Sequence, residues 1–237
     1  ATNILGTMDR NIREIVYDSR KSGPDCLFVA VPGGNCDGGA FIKDAIDKGA
    51  SAFITEFSLD SLNGIDLGSR DVTALCVEDA RKALSTVSAN FYRRPSERLA
   101  LTGITGTNGK TTTAYILEAL FRAQGARTGV IGTINYHYGD KELSAPVTTP
   151  ESLDLNRMLD EMIKDEIKNC FLEVSSHALH QSRVHDMRFK TGIFTNLSRD
   201  HLDFHGNMES YKNAKKKLFL DNHVQWKIFN IDDPVGR

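Results

Sequence analysis

Gly103-Ile104-Thr105-Gly106-Thr107-Asn108-Gly109-Lys110-Thr111-Thr112-Thr113 decides the fold. It follows an alternating run, 99–105, that is β-branched at its end, and it opens a stretch with Ala114, Leu117, Leu120 and Phe121 at helical spacing up to Gly125. Strand, glycine-rich turn, lysine and helix in that order make a phosphate-binding loop. The glycines let backbone N–H groups turn inward, and the helix N-terminus adds partial positive charge. Lys110 would neutralise β/γ-phosphate charge, and Thr111 or Thr112 would hold Mg²⁺. Ile104 occupies the first glycine of the strict G-x-x-x-x-G-K-[ST] spacing, so the assignment rests on the flanking strand and helix.

Downstream, strands are expected at 128–135, 171–174, 193–196 and 227–231. Helices are expected from Pro150 and over 209–220, with a polar loop before Pro150. Leu155, Met158, Leu159, Met162 and Ile163 give the first of these helices its apolar face. Upstream, the units are shorter: strands at 12–17, 26–31, 52–55 and 73–77, with helices at 41–48 and 79–91. Arg93-Arg94-Pro95-Ser96 breaks the last helix, because the residue before proline is pushed out of helical geometry. The fold class is therefore α/β. A small N-terminal α/β domain, 1–96, precedes a P-loop-type domain, 97–237, whose mostly parallel sheet carries helices on both faces and ligands at the carboxyl ends of its strands. The sequence stops soon after the strand at 227–231, so this second domain is expected to be only the N-terminal part of a longer one.

Composition narrows the function. With 29 basic against 31 acidic residues and a formal net charge of -2, nothing marks a nucleic-acid footprint or an attraction to anionic membrane. Cys26, Cys36, Cys76 and Cys170 are far apart with no C-x-x-C pair, which argues against a zinc site or disulfide framework and suits the cytoplasm. No apolar run approaches the length of a membrane span.

Three further segments carry chemistry. Glu173 ends an apolar strand in Phe171-Leu172-Glu173-Val174-Ser175-Ser176-His177, where a buried carboxylate is costly unless it meets a cation or donor. Thr195-Asn196-Leu197-Ser198-Arg199-Asp200-His201-Leu202-Asp203-Phe204-His205-Gly206 packs Asp, His, Asp and His behind another strand, a density that favours a metal or phosphate site. Its spacing fits no zinc pattern, so Mg²⁺ held partly by phosphates is the better match. Tyr211-Lys212-Asn213-Ala214-Lys215-Lys216-Lys217 puts lysines on a helix, most simply as a solvated basic face.

These segments, with Asp18-Ser19-Arg20, the turn Gly33-Gly34-Asn35-Cys36-Asp37-Gly38 and Thr148-Thr149-Pro150-Glu151, occur in an order that resembles the Mur ligases over nearly the whole chain. Within that family the segments look like the MurE branch, which extends UDP-N-acetylmuramoyl-L-alanyl-D-glutamate in peptidoglycan synthesis. The resemblance implies ATP-dependent amide formation, in which the D-glutamyl carboxylate attacks the γ-phosphate and the amine of a third amino acid, meso-diaminopimelate or L-lysine, displaces the resulting acyl phosphate. It implies that Gly106, Thr107, Asn108, Gly109, Lys110, Thr111 and Thr112 hold ATP, that Thr111, Glu173 and His201 hold Mg²⁺, and that Lys110, Glu173, His201 and Lys215 serve catalysis. Lys215 aligns with a lysine that the family carbamylates, which as a carbamate would bind a second Mg²⁺. Thr148, Thr149, Ser175, Gln181 and Arg183 match muramoyl-peptide contacts, and Ser19 with Asn35 matches the UDP pocket. Family members also carry a C-terminal domain for the incoming amino acid, absent from this sequence, so the isolated chain is expected to ligate weakly or not at all. The alternatives are a non-catalytic nucleotide- or muropeptide-binding module and a sibling Mur ligase such as MurF.

Overall fold

The computed structural model describes residues 3–33, 37–58, 61 and 71–237, which form two compact units, Ala1–Ser88 and Ala89–Arg237. In the first unit, strands β1 (Asn3–Leu5), β2 (Glu14–Val16), β3 (Cys26–Val29), β4 (Ala52–Thr55) and β5 (Thr73–Cys76) form one sheet in the order β1-β5-β4-β3-β2. All pairs are parallel except β1 with β5. Val29, Phe53 and Ala74 are fully buried in these strands, and Ile42 and Ala45 of helix α1 (Ile42–Asp47) are buried with them. Strand β1 has no counterpart in the sequence reading because all three of its residues are exposed, which leaves no apolar alternation to find. Helix α2 spans Ala80–Phe91.

The second unit is a seven-stranded sheet in the order β12-β11-β6-β10-β7-β8-β9. Its parallel part comprises β6 (Ala100–Thr105), β7 (Thr128–Ile131), β10 (Asn169–Glu173), β11 (Arg188–Phe194) and β12 (His223–Phe229). Strand β6 is central, flanked by β10 and β11, so the loops leaving all three emerge side by side at the carboxyl edge. Helices α3 (Lys110–Ala123), α4 (Ser152–Lys164) and α7 (Met208–Leu220) pack on the sheet, with Leu155, Met158, Leu159 and Met162 as the buried stripe of α4.

The single strand expected over 128–135 is instead two. Strand β7 stops at Ile131, and the chain turns at Gly132–Ile134 into β8 (Asn135–Tyr138), antiparallel to β7 and followed by the antiparallel β9 (Lys141–Ser144). The polar residues expected as a loop therefore supply a hairpin whose β8 buries Tyr136 and Tyr138 and whose edge strand β9 is exposed, and the turn's pairing sets its position. Two short helices, α5 (Ser176–His180) and α6 (Leu202–His205), lie in the loops after β10 and β11 and are too brief to leave a periodic signal.

Candidate functional site

The loop between β6 and α3 begins at Gly106, whose φ is +150°; a Cβ there would stand 1.9 Å from Thr195 Oγ1. Only glycine fits so close an approach. Gly109 caps α3 in the left-handed region with φ +83° and supplies no side-chain acceptor, so the first N–H groups of the helix are left for a ligand. The loop is braced by the chain leaving β11. Thr107 N donates to Asn196 O at 2.9 Å, Asn108 N to Asn196 Oδ1 at 3.0 Å, and Thr195 Oγ1 to Asn108 O at 2.7 Å.

Lys110 Nζ folds back over this loop and donates to Gly106 O at 3.0 Å and Thr107 O at 2.9 Å. Burial lowers its pKa, and the carboxylates of Glu173 and Asp200 oppose that shift. Lys215 Nζ reaches the same Gly106 carbonyl from α7 at 2.7 Å, lying 4.4 Å from the Tyr211 ring centroid. Burial, then the charge of Lys110, brings the Lys215 pKa down to about 7. The lysine run is thus not one solvated face: Tyr211, Ala214, Lys215, Leu218 and Phe219 form the buried stripe of α7, while Lys216 is exposed. Helical periodicity singles out Lys215, because it falls at i+4 from Tyr211 and i−4 from Phe219.

Glu173 is fully buried at the end of β10. Its Oε1 accepts from Thr133 N at 2.9 Å, and its Oε2 accepts from Thr111 Oγ1 at 3.0 Å and Thr133 Oγ1 at 3.1 Å. Sequence reasoning missed Gly132 and Thr133. A Cβ at Gly132 would stand 2.2 Å from Glu173 Oε1, so this glycine makes room for the carboxylate. The available signal was a Gly-Thr pair at the end of a strand, repeating Gly106-Thr107. Thr112, by contrast, is exposed, so of the two threonines only Thr111 faces Glu173.

A second group adjoins this one through the backbone of Glu173. Thr149 Oγ1 donates to Glu173 O at 2.8 Å and accepts from Ser175 N at 3.0 Å, and Ser175 Oγ caps α5 by accepting from Ala178 N at 3.1 Å. Arg183 Nη1 donates to Thr149 O at 2.7 Å, and its Nε lies 2.9 Å from Glu151 Oε1. Thr148 Oγ1 meets Thr133 Oγ1 at 3.1 Å, linking the two groups. The buried Gln181 Oε1 has no hydrogen-bond partner among the described residues, an acceptor that a ligand N–H would satisfy.

His201 is exposed at φ +50°, with Nε2 3.3 Å from Asp200 Oδ2 and its ring 4.9 Å from that of His177 and 6.0 Å from that of Tyr211. It approaches the loop through Tyr211, whose hydroxyl meets Thr107 Oγ1 at 3.1 Å, and makes no bond to Glu173 or Lys110. His205 is buried, with Nε2 2.9 Å from Ser176 Oγ, and burial followed by the neighbouring histidines lowers its pKa to about 4. In the first unit, Ser19 is buried beside a cavity of about 470 Å³ lined also by Tyr17, Arg20, Phe28, Gly38 and Phe41. Asp18 opens that turn by accepting from Arg20 N at 3.0 Å, and its ion pair with the Arg20 side chain holds its carboxyl at about 2. Asn35 lies outside the described residues.

Residues 104–237 match the Mur ligase middle domain, and residues 11–92 match the Mur ligase family, catalytic domain. A UDP-N-acetylmuramoyl-L-alanyl-D-glutamate--2,6-diaminopimelate ligase of Alkaliphilus metalliredigens is 44% identical over 98% of this chain and 46% of its own length. A ligase of the same name from Solibacter usitatus is 47% identical over 94% of this chain and 44% of its own. A solved structure of a UDP-N-acetylmuramoyl-L-alanyl-D-glutamate--2,6-diaminopimelate ligase superposes with a TM-score of 0.80 at 29% identity, over 97% of this chain and 46% of that one. The chain spans about half the length of the curated relatives it matches.

Proposed function

The chain belongs to the Mur ligase family, and we propose that it carries the phosphate- and muramoyl-peptide-binding parts of an ATP-dependent ligase that joins 2,6-diaminopimelate to UDP-N-acetylmuramoyl-L-alanyl-D-glutamate. The names of the relatives favour diaminopimelate over L-lysine as the third amino acid. Residues 1–96, with Ser19 and Asn35, would take the UDP end, and residues 97–237 the nucleotide and the reacting peptide. The two matched segments leave 93–103 between them, the stretch in which we put the boundary. The buried Cys26 and Cys170, free thiols among the described residues, accord with a cytoplasmic location.

One observation carries this reading: Glu173 is held through its carboxylate by Thr111 of the phosphate-loop helix, while its backbone carbonyl accepts from Thr149 of the substrate group. That shared residue puts the two groups side by side, as transfer of a phosphoryl group onto a peptide carboxylate requires. The D-glutamyl carboxylate attacks the γ-phosphorus, ADP leaves with the bond pair, and the amine then displaces phosphate from the acyl phosphate. Lys110 would leave its two loop carbonyls for the incoming phosphates, and the first N–H groups of α3 would complete their cradle. Thr149, Ser175, Gln181 and Arg183 would orient the peptide.

Mg²⁺ fits the same corner. Thr111 and Glu173 offer a hydroxyl and a carboxylate, and among the described residues no three His, Cys, Asp or Glu side chains converge as metal ligands. An ion with this few protein ligands must take phosphate and water oxygens, as Mg²⁺ does. When bound, it would supply charge neutralisation between the approaching anions. His201 would join by reorienting from Asp200. The lowered Lys215 pKa supplies a neutral amine near pH 7, the form that adds CO₂ to become a carbamate. Carbon-13-labelled bicarbonate should then give a carbamate signal that Lys215→Met abolishes.

Calorimetric titration of this chain with UDP-N-acetylmuramoyl-L-alanyl-D-glutamate, with and without ATP and Mg²⁺, tests the reading. Binding of both ligands is expected, with ligation far below a full-length relative's rate; absence of binding by either ligand would remove the assignment.

A further inference from the structure

The turn that holds Glu173 is itself tied to α3 by side chains that the ligase reading leaves unused. Asn135 closes that turn, its carbonyl accepting from Gly132 N at 3.3 Å. Its Nδ2 donates to Glu142 Oε1 of β9 at 2.7 Å, and because a carboxylate only accepts, the amide is oriented with Oδ1 toward α3. Oδ1 accepts from the Tyr115 hydroxyl at 2.8 Å and lies 2.8 Å from His137 Nδ1, while His137 Nε2 lies 2.8 Å from Glu118 Oε1. Both imidazole nitrogens face oxygens, so the ring bridges Asn135 and Glu118. Glu118 is buried and also accepts from Thr128 Oγ1 at 3.3 Å.

Thr111, Tyr115 and Glu118 share one face of α3. That face therefore meets Glu173 at its first turn and the hairpin at the next two. Thr111 and Thr133 donate to the same carboxylate oxygen from the two elements so joined, and the cross-links fix how far apart the two threonines stand.

We propose that Tyr115, Glu118, Asn135 and His137 form a positioning strap that keeps Thr133 on Glu173 and thereby sets how well the Glu173 corner takes Mg²⁺ with nucleotide. The inference rests on the ligase reading. None of the four touches the reacting atoms; they act through Thr133, as residues behind a metal ligand orient it.

Titration of the chain with a non-hydrolysable ATP analogue, once with Mg²⁺ and once with EDTA, separates the strap from general stability. The unaltered chain should bind more tightly with Mg²⁺. His137→Gln should cut that gain about tenfold and leave the EDTA affinity unchanged. In a Thr133→Ala background, His137→Gln should have no further effect, because the strap would have nothing left to position. Tyr115→Phe, which deletes one hydroxyl and no carbon, should lower the gain in the same sense and carries the test if His137→Gln does not fold. A full Mg²⁺ gain in both variants, an equal loss with and without Mg²⁺, or an additive effect in Thr133→Ala would each overturn the strap. If the unaltered chain binds nucleotide with no Mg²⁺ gain, the metal part of the ligase reading fails and the strap falls with it; an intact gain with unaffected variants removes the strap alone.

Discussion

The chain leaving β10 and the chain leaving β11 flank the loop between β6 and α3 from the two strands beside β6, yet they are built in opposite ways. Glu173 is fully buried and its carboxylate accepts three hydrogen bonds, whereas Asp200 and His201 are exposed and their side chains pair with each other. The second segment holds more ligand-type residues, and the first is the one already arranged. A carboxylate without water is held by fixed donors and persists only because they are there. Exposed side chains can reorient toward a ligand but are not pre-set for it.

Glu173→Gln strikes the arranged side directly and should have the largest effect. Glutamine can keep an oxygen on Thr133 N, and the two threonine hydroxyls can rotate to accept from its amide, so the stability loss should be about 1 kcal/mol. The anionic charge is lost outright, and the Mg²⁺-dependent gain in nucleotide affinity should fall about 100-fold. Calorimetry with Mg²⁺ and with EDTA measures it; a gain that survives would show that the buried carboxylate does not serve the cation.

Next in size is Gly106→Ala. The new Cβ would strike Thr195 Oγ1 at a φ that L-residues rarely adopt. A cost of about 2 kcal/mol is expected, seen in thermal or urea melts, together with weaker nucleotide binding. Adding Thr195→Ala should recover the part due to the clash and leave the part due to φ. An unchanged melting temperature in Gly106→Ala would mean that the loop does not need this close approach.

Lys215→Met tests the buried cation in CO₂-free buffer. The folded pKa, about 7, lies below the unfolded value of 10.5. Between those values the unfolded chain binds more protons, so the stability of the unaltered protein rises with pH across that window, by at most about 1.4 kcal/mol per pH unit. Below pH 7 both states are protonated and the full cost of burying the charge is present. Methionine carries no such cost, so the variant should be the more stable of the two at pH 6, and the advantage should shrink as pH rises toward 10. A pH-independent difference would place the Lys215 ammonium in contact with water. His205 works in the same sense at lower pH: with a folded pKa of about 4 against 6.5 in the unfolded chain, it removes stability as pH falls through that interval.

Much of this contrast could be read before any coordinates. The 3.6-residue stripe placed α4, and the strand–glycine–lysine–helix order placed the loop between β6 and α3, whereas the lysine run reads as a solvated face although Lys215 is buried in α7. What the sequence did not reveal has a physical reason in each case. The turn at 132–134 interrupts β-branched residues that suit one long strand equally well, so the hairpin that brings Thr133 onto Glu173 was hidden by its own β-propensity. The partners of Glu173 lie 62 and 40 residues away along the chain, separations at which pattern reading has no purchase. Density of Asp and His was legible at 200–205, but exposure was not, because it depends on how α6 packs rather than on which residues it contains.

His201→Ala probes the other side of the comparison and should have the smallest effect. The side chain is 44% exposed and its ring nitrogen pairs, among the described residues, with Asp200, itself exposed, so stability should change by less than about 0.5 kcal/mol. Any loss should therefore appear only in ligand binding, where the ring would have to turn from Asp200 toward phosphate or metal at the moment of binding. A melt that is unchanged beside a several-fold weaker Mg²⁺-dependent nucleotide affinity is the expected pair of results, well short of the Glu173→Gln loss. If the two variants weaken binding equally, the exposed segment is arranged before the ligand arrives after all, and the distinction between the two loops disappears.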